Sequence, residues 1–247
     1  MLPYIYIGQL KISLYYTAMI LGYVMMVVFM LLKSRRTKYG LNPLQSVIFA
    51  TAELIFGVLG CKILFILEDI PNVIENGLSF GGFSFYGSVL LIPLLMPLIG
   101  KLLHLNWRDT LDNSAICILA MLSTIRIGCF LAGCCGGITL VAGGDFYFKV
   151  PTQLMECACS TIILILLLKW EKRGVANGFF YPTLLITYGC ARFFIEFLRD
   201  TAKDWLHLSH GQWFSIAAII AGVTFEILLR KQTKKMAKKQ KTHRAKR

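Results

Sequence analysis

Residues 13–32 read SLYYTAMILGYVMMVVFMLL, twenty residues without a charge, and residues 33–38 follow as KSRRTK. As a helix rising about 1.5 Å per residue, such a run spans about 30 Å, the hydrocarbon thickness of a bilayer. The basic cluster behind it is what cytoplasmic loops collect. The apolar pattern recurs at Val47–Leu67, Phe83–Leu103, Ser114–Leu131, Gln153–Trp170, Gly178–Leu198 and Trp213–Leu229. The fourth, fifth and seventh runs are the shortest. The expected fold is therefore all-α: a polytopic integral membrane protein with seven transmembrane helices. Composition agrees, with 56% hydrophobic residues, 16% charged residues and mean hydropathy +0.64. A soluble domain carries about 25% charged residues, so a water-soluble enzyme is excluded. Seven prolines and no Pro/Ser-rich stretch exclude an extensively disordered chain.

The loops give the orientation. Lys33, Arg35, Arg36 and Lys38 follow span one, Lys101 and Arg108 span three, and Lys169, Lys172 and Arg173 span five. Glu68, Asp69 and Glu75 follow span two without a base. The loops after spans four and six are mixed: Asp145 with Lys149, then Arg199 and Lys203 with Asp200 and Asp204. Odd-numbered spans thus lead into the more basic loops, which predicts N-out, C-in topology. The segment before span one has no basic stretch, and no small-residue cleavage site follows the apolar run, so no cleaved signal peptide is expected. One membrane domain is expected over residues 1–229, with a basic cytoplasmic tail over 230–247 as a frayed helix or disordered. The tail holds ten of the Lys and Arg residues and no acid, within a net charge of +13. Beside an apolar body, such a run reads as a segment held against anionic lipid, not as a nucleic-acid arm.

Ionisable side chains inside a span cost about 2.5 kcal/mol or more and usually face the bundle interior or a water-filled cavity. This chain has several, among them Glu53 and Lys62 in span two, Arg126 in span four, Glu156 in span five, and Arg192 and Glu196 in span six. The predicted topology places Arg126 late in an outward-running span, and Arg192, Glu196 and Arg199 near the outer end of another. Tyr15, Tyr86 and Glu156 fall early in inward-running spans. Residues of five spans therefore meet at one depth, toward the extracytoplasmic side. Arg192, Glu196 and Arg199 share a helical face, where pairing as structural glue competes with ligand binding. Lys62 reads as a snorkelling, structural side chain.

Two glycine-rich segments interrupt the pattern: Gly81-Gly82-Phe83-Ser84-Phe85-Tyr86-Gly87-Ser88, and Gly128 to Gly137 just after Arg126. Gly87, Gly128 and Gly133 permit either close helix packing or backbone N–H groups aimed at a lipid phosphate. Cys129, Cys134 and Cys135 cluster near the outer face. Inert buried thiols are one reading of them, and a disulfide to another outer-face cysteine is the second. No C-x-x-C occurs among them, and His104, His207, His210 and His243 are badly spaced for zinc, so no metal is expected.

Arg126-Ile127-Gly128-Cys129-Phe130 resembles the G-R-x-G-N-F signature of the bacterial prolipoprotein diacylglyceryl transferase family. Gly81 to Gly87 is similar to its G-G-x-S-F-H-G, and Pro151-Thr152-Gln153-Leu154-Met155-Glu156 to its P-[ST]-Q-L-Y-E. Tyr188 to Arg199 is similar to its Y-G-x-x-R-F-x-x-E-x-x-R, and Gly8–Met19 to its N-terminal L-G-x-L-x-I-R-W-Y-G, with Tyr15 on the tyrosine. The matches run in family order from Gly8 to Arg199.

The resemblance implies a seven-span, N-out enzyme of the bacterial inner membrane. It would move the sn-1,2-diacylglyceryl group of phosphatidylglycerol onto the lipobox cysteine of a prolipoprotein, with no metal or diffusible cofactor. Arg126 and Arg192 would handle the phosphate, since a guanidinium holds it bidentately and stays charged when desolvated. Glu196 would orient Arg192, and Tyr15 and Glu156 would shape the head-group cavity. Gly87, Gly128, Gly133 and Arg199 would complete the substrate-binding set. The chain departs from the family where the histidine of G-G-x-S-F-H-G is Tyr86. The asparagines of the arginine motif are Cys129 and Ala132, and its glutamate is Cys134. Two other readings remain at this level: a phospholipid-dependent transferase with another acceptor, and a lipid or anion transporter. A thiol oxidoreductase using Cys134 and Cys135 ranks below them.

Overall fold

The computed structural model describes residues 4–8, 10–34, 41–68, 70–77, 84–141, 147–174, 178–203 and 206–245. Most of each of the seven predicted spans lies on one long helix: α1 (Leu14–Ser34), α2 (Pro43–Glu68), α4 (Phe85–Leu102), α5 (Trp107–Ala132), α6 (Thr152–Lys172), α7 (Phe180–Glu196) and α8 (His210–Ala245). A short helix, α3 (Ile70–Asn76), follows α2. Six of these helices are long and apolar enough to cross a bilayer; α7, with 17 residues, is the shortest of the seven. Ile20, Leu94, Leu98, Ile162 and Ile220 are exposed, as side chains facing lipid would be. The fold is that of an all-helical, polytopic membrane protein.

Local chemistry explains where the helices extend beyond the apolar windows. α2 starts at Pro43, four residues early, because Asn42 and Gln45 cap it reciprocally: Gln45 N–H donates to Asn42 Oδ1 at 2.8 Å, and Asn42 N–H to Gln45 Oε1 at 2.9 Å. Proline suits the first helical position because its missing N–H has no helical partner there. α5 starts at Trp107 and buries Thr110, Asp112 and Asn113, polar residues that a hydropathy window discards. It ends at Gly133, whose φ of +76° allows a left-handed cap. α8 continues to Ala245, so the helical alternative holds for the tail. Lys, Arg, Gln and Ala are good helix formers.

Two hairpins were not anticipated: β1 (Tyr4–Ile7) with β2 (Leu10–Ser13), and β3 (Thr139–Val141) with β4 (Tyr147–Lys149). The first turns through Gly8 at φ +63°. Both are too short for a window tuned to spans.

The chain forms two compact units, Met1–Cys134 and Cys135–Arg247. In the first, α1 packs on α5 and α2 on α4, with α1–α2 and α4–α5 contacts closing the set. α5 is its buried centre, with Ala115, Cys117 and Leu119 sealed. In the second, α7 packs on α8 and α6 on α7. Gly189 of α7 and Gly222 of α8 bring those helices together: added Cβ atoms would lie 3.1 Å from the Ser215 carbonyl oxygen and 2.9 Å from that of Pro182. Small residues at a crossing are the usual device for close packing in a membrane.

Candidate functional site

In the first unit the site residues are set by glycines at helix crossings. Gly87 of α4 and Gly60 of α2 face each other so closely that a Cβ on either would strike the other's main-chain carbonyl. That contact fixes the first turn of α4, where Tyr86 is buried and its ring lies 6.1 Å, edge-on, from that of Phe85. Gly81, Gly82 and Phe83 of the same motif lie outside the described residues. Gly128 of α5 rests on α1: an added Cβ would collide with Ala18 and lie 3.5 Å from the Leu14 carbonyl oxygen and from Tyr15 Cα. Gly128 thus brings the arginine-bearing end of α5 against the turn that carries Tyr15. Arg126 is buried, two residues earlier on α5.

The cap of α5 sets the position of Cys134. Gly133 N–H donates to the Phe130 carbonyl at 3.2 Å, and Cys134 N–H to the Cys129 carbonyl at 3.1 Å. This pair of bonds places the residue after the left-handed glycine over the third residue from the helix end. The Cys134 thiol accordingly sits 3.6 Å from the Cys129 carbonyl oxygen. That acceptor is main chain, so the contact depends on the side chain at position 134 and not on the one at 129. Elsewhere in this unit Glu53 is buried and accepts a hydrogen bond from Ser114 at 2.9 Å, tying α2 to α5. Lys62 lies 5.1 Å from the Phe65 ring, as a structural side chain would.

In the second unit four charges meet. Arg192 pairs with Glu156 across α6 and α7, and with Glu196 one turn on at 2.8 Å. Arg199 Nη1 lies 3.7 Å from Glu156 and 3.8 Å from Glu196. The Tyr188 hydroxyl donates to Glu156 Oε2 at 3.1 Å. Arg192, Glu156 and Glu196 are buried, so each charge relies on these partners in place of water. Arg192 and Glu196 share a face of α7 as predicted. Arg199, by contrast, lies in the turn after that helix and reaches the same carboxylates from there, and Glu156 joins them from α6. Arg199 is also held through its backbone. The turn after α7 bridges to Gly137, and Ile138 N–H donates to the Leu198 carbonyl at 2.8 Å. A Cβ on Gly137 would lie 2.9 Å from the Val150 carbonyl oxygen, so a glycine is needed there.

Sequence reading missed the residues that complete this cluster. Thr201 and Ser209 each donate a side-chain hydrogen bond to Glu196 Oε1 at 3.1 Å. Ser209 also caps α8. Its hydroxyl accepts from Gln212 N–H at 3.3 Å, and its own N–H donates to Gln212 Oε1 at 3.0 Å. The signal was in the sequence as Ser209-His210-Gly211-Gln212, an S-x-x-Q capping box ahead of an apolar run. Tyr188 stood in a quoted motif, but nothing in its spacing points to Glu156.

These features define a class: a polytopic membrane protein with arginines buried near helix ends, one set locked by carboxylates on two helices. The chain belongs to the prolipoprotein diacylglyceryl transferase family, whose model matches residues 3–228. It is 30% identical to the phosphatidylglycerol–prolipoprotein diacylglyceryl transferase of Clostridium tetani, over 87% of this chain and 92% of that protein. It is 27% identical to the enzyme of that name from Cupriavidus pinatubonensis, over 90% and 89%. With phosphatidylglycerol–prolipoprotein diacylglyceryl transferase 2 of Clostridium perfringens it shares 27% identity, over 78% and 82%.

Proposed function

We propose that this protein is a transferase of lipoprotein biosynthesis in the bacterial cytoplasmic membrane, moving the diacylglyceryl group of phosphatidylglycerol to the lipobox cysteine of prolipoproteins. The observation that carries this reading is membership of the family along residues 3–228, with the arginine motifs in place. The thiol sulfur forms a bond to the glyceryl carbon as the bond from that carbon to the phosphate oxygen breaks. Glycerol-1-phosphate leaves and the thiol proton is lost. Negative charge grows on the departing phosphate, where preorganised cations are most effective. Arg126 and Arg192 supply them in this proposal. Glu156 and Glu196 hold the second arginine, Arg199 joins the substrate-binding set, and Tyr15, Gly87, Gly128 and Gly133 shape the head-group cavity. Expression in cells depleted of their own transferase tests the function. Mass spectrometry of their prolipoproteins should find the diacylglyceryl adduct, and its absence refutes the reading.

The finer membrane arrangement belongs to the same proposal. The membrane domain covers residues 1–229 with seven spans, including α7, whose 17 residues lie at the lower limit of about 17–25 for a spanning helix. The N-terminus and the reaction site face outward, and the basic tail faces inward against anionic lipid. A reporter fused after Arg247 should be active only in the cytoplasm. Activity confined to the outside would reverse the topology.

Tyr86 stands where the family has histidine. A phenol ordinarily titrates near pH 10 and an imidazole near about 6.5, so Tyr86 donates a hydrogen bond and does not serve as the base. The positive field of the arginines takes over that role, since a neighbouring cation lowers a thiol pKa by about one unit or more. Tyr86→Phe is then expected to cost only a hydrogen bond, about 0.5–1.5 kcal/mol in the rate barrier. The pH–rate profiles of wild type, Tyr86→Phe and Tyr86→His on a lipobox peptide check this. Complete loss in Tyr86→Phe would make the hydroxyl catalytic.

A further inference from the structure

Glu196 ends α7, and its carboxylate is gripped from three sides. Arg192 Nη2 lies at 2.8 Å and Arg199 Nη1 at 3.8 Å, Thr201 donates from the following turn, and Ser209 donates from the start of α8. Gly211 also lies against it: a Cβ there would lie 2.9 Å from Glu196 Cδ and Oε1. Ser209, Gln212 and Glu196 are all buried. Ser209 Oγ uses both of its capacities, accepting from Gln212 N–H while giving its single proton to Glu196. The positive end of the α8 dipole lies beside the same carboxylate, which favours its charge.

We infer that Ser209, Gly211 and Gln212, the first turn of α8, are positioning residues that act through Glu196 on Arg192 and Arg199. The inference rests on the reading that this arginine cluster serves diacylglyceryl transfer. A carboxylate fixed by α8 leaves each guanidinium one orientation, whereas a loose one follows either arginine. Displacements of about 1 Å at charged groups can cost about 10²-fold in rate, so a capping turn far from the reacting carbon can control turnover.

The test uses the purified full-length protein with phosphatidylglycerol and a lipobox peptide, reading kcat, KM and the thermal midpoint. Ser209→Thr keeps both the cap and the proton, and is expected to remain within about threefold of wild type, since threonine also caps well. Ser209→Asp keeps the cap but sets a carboxylate against Glu196. It should lose about tenfold or more in kcat, more than the fall in its thermal midpoint accounts for, with KM little changed. Gly211→Ala, which helix propensity alone favours, should also lose about tenfold in kcat because the new methyl displaces the carboxylate. Wild-type kcat in Ser209→Asp, or kcat losses that merely track the thermal midpoint, would overturn the inference. A wild type without transfer activity would count against the function instead. The inference is then decided by crystal structures of wild type and Ser209→Asp: a displaced Arg192 guanidinium supports it, and an unmoved one overturns it.

Discussion

Arg126→Ala and Arg192→Ala are each expected to lower diacylglyceryl transfer by about 10²–10³-fold, the loss seen when one preorganised donor to a developing anion is removed. The two variants should differ in another respect. Arg192 is the partner of both Glu156 and Glu196. Its removal leaves two buried carboxylates short of a cation, which destabilises by about 3–5 kcal/mol when one partner of a buried pair is lost. Arg192→Lys separates the effects. It keeps the charge but loses the planar fork that reaches two carboxylates at once, so activity should fall while the protein still accumulates. Steady-state kinetics in detergent, beside thermal unfolding of each variant, give the answer. Near-normal turnover in purified Arg126→Ala or Arg192→Ala would sink the phosphate role of that residue.

Gly60→Ala and Gly87→Ala are expected to damage the protein equally, although only Gly87 stands in a family-like motif. Each added Cβ meets the other helix's main-chain carbonyl, which cannot rotate aside as a side-chain tip can. Forcing α2 and α4 apart should cost about 1–3 kcal/mol, the usual penalty for overpacking. The double variant should lose less than the two single losses together, because helices already separated accommodate the second methyl. Thermal midpoints and activities of the three proteins test this. If Gly87→Ala loses activity at an unchanged midpoint while Gly60→Ala is silent, Gly87 serves close ligand approach instead of packing.

The unbroken apolar runs, set off by Lys33 to Lys38 and their counterparts, determined the helices by themselves. A span must satisfy its backbone internally and present apolar atoms to lipid, so hydropathy alone locates it. The face shared by Arg192 and Glu196 was equally legible, because helical period is a local property, but Arg199 lies past the helix end and reaches the cluster from a turn. The capped starts of α2 and α8 were legible in kind, as Asn42 to Gln45 and Ser209 to Gln212, but an apolar window passes over such polar turns. Only the tertiary structure decided that Glu156 answers Arg192 across two helices and that Gly60 is the counterpart of Gly87. It alone decided that Glu196 is held by a turn thirteen residues further along the chain. Those contacts join residues that sequence spacing does not relate. They depend on how closely two helices approach, and that distance is set by the smallest side chain at each crossing, not by any periodicity along one chain.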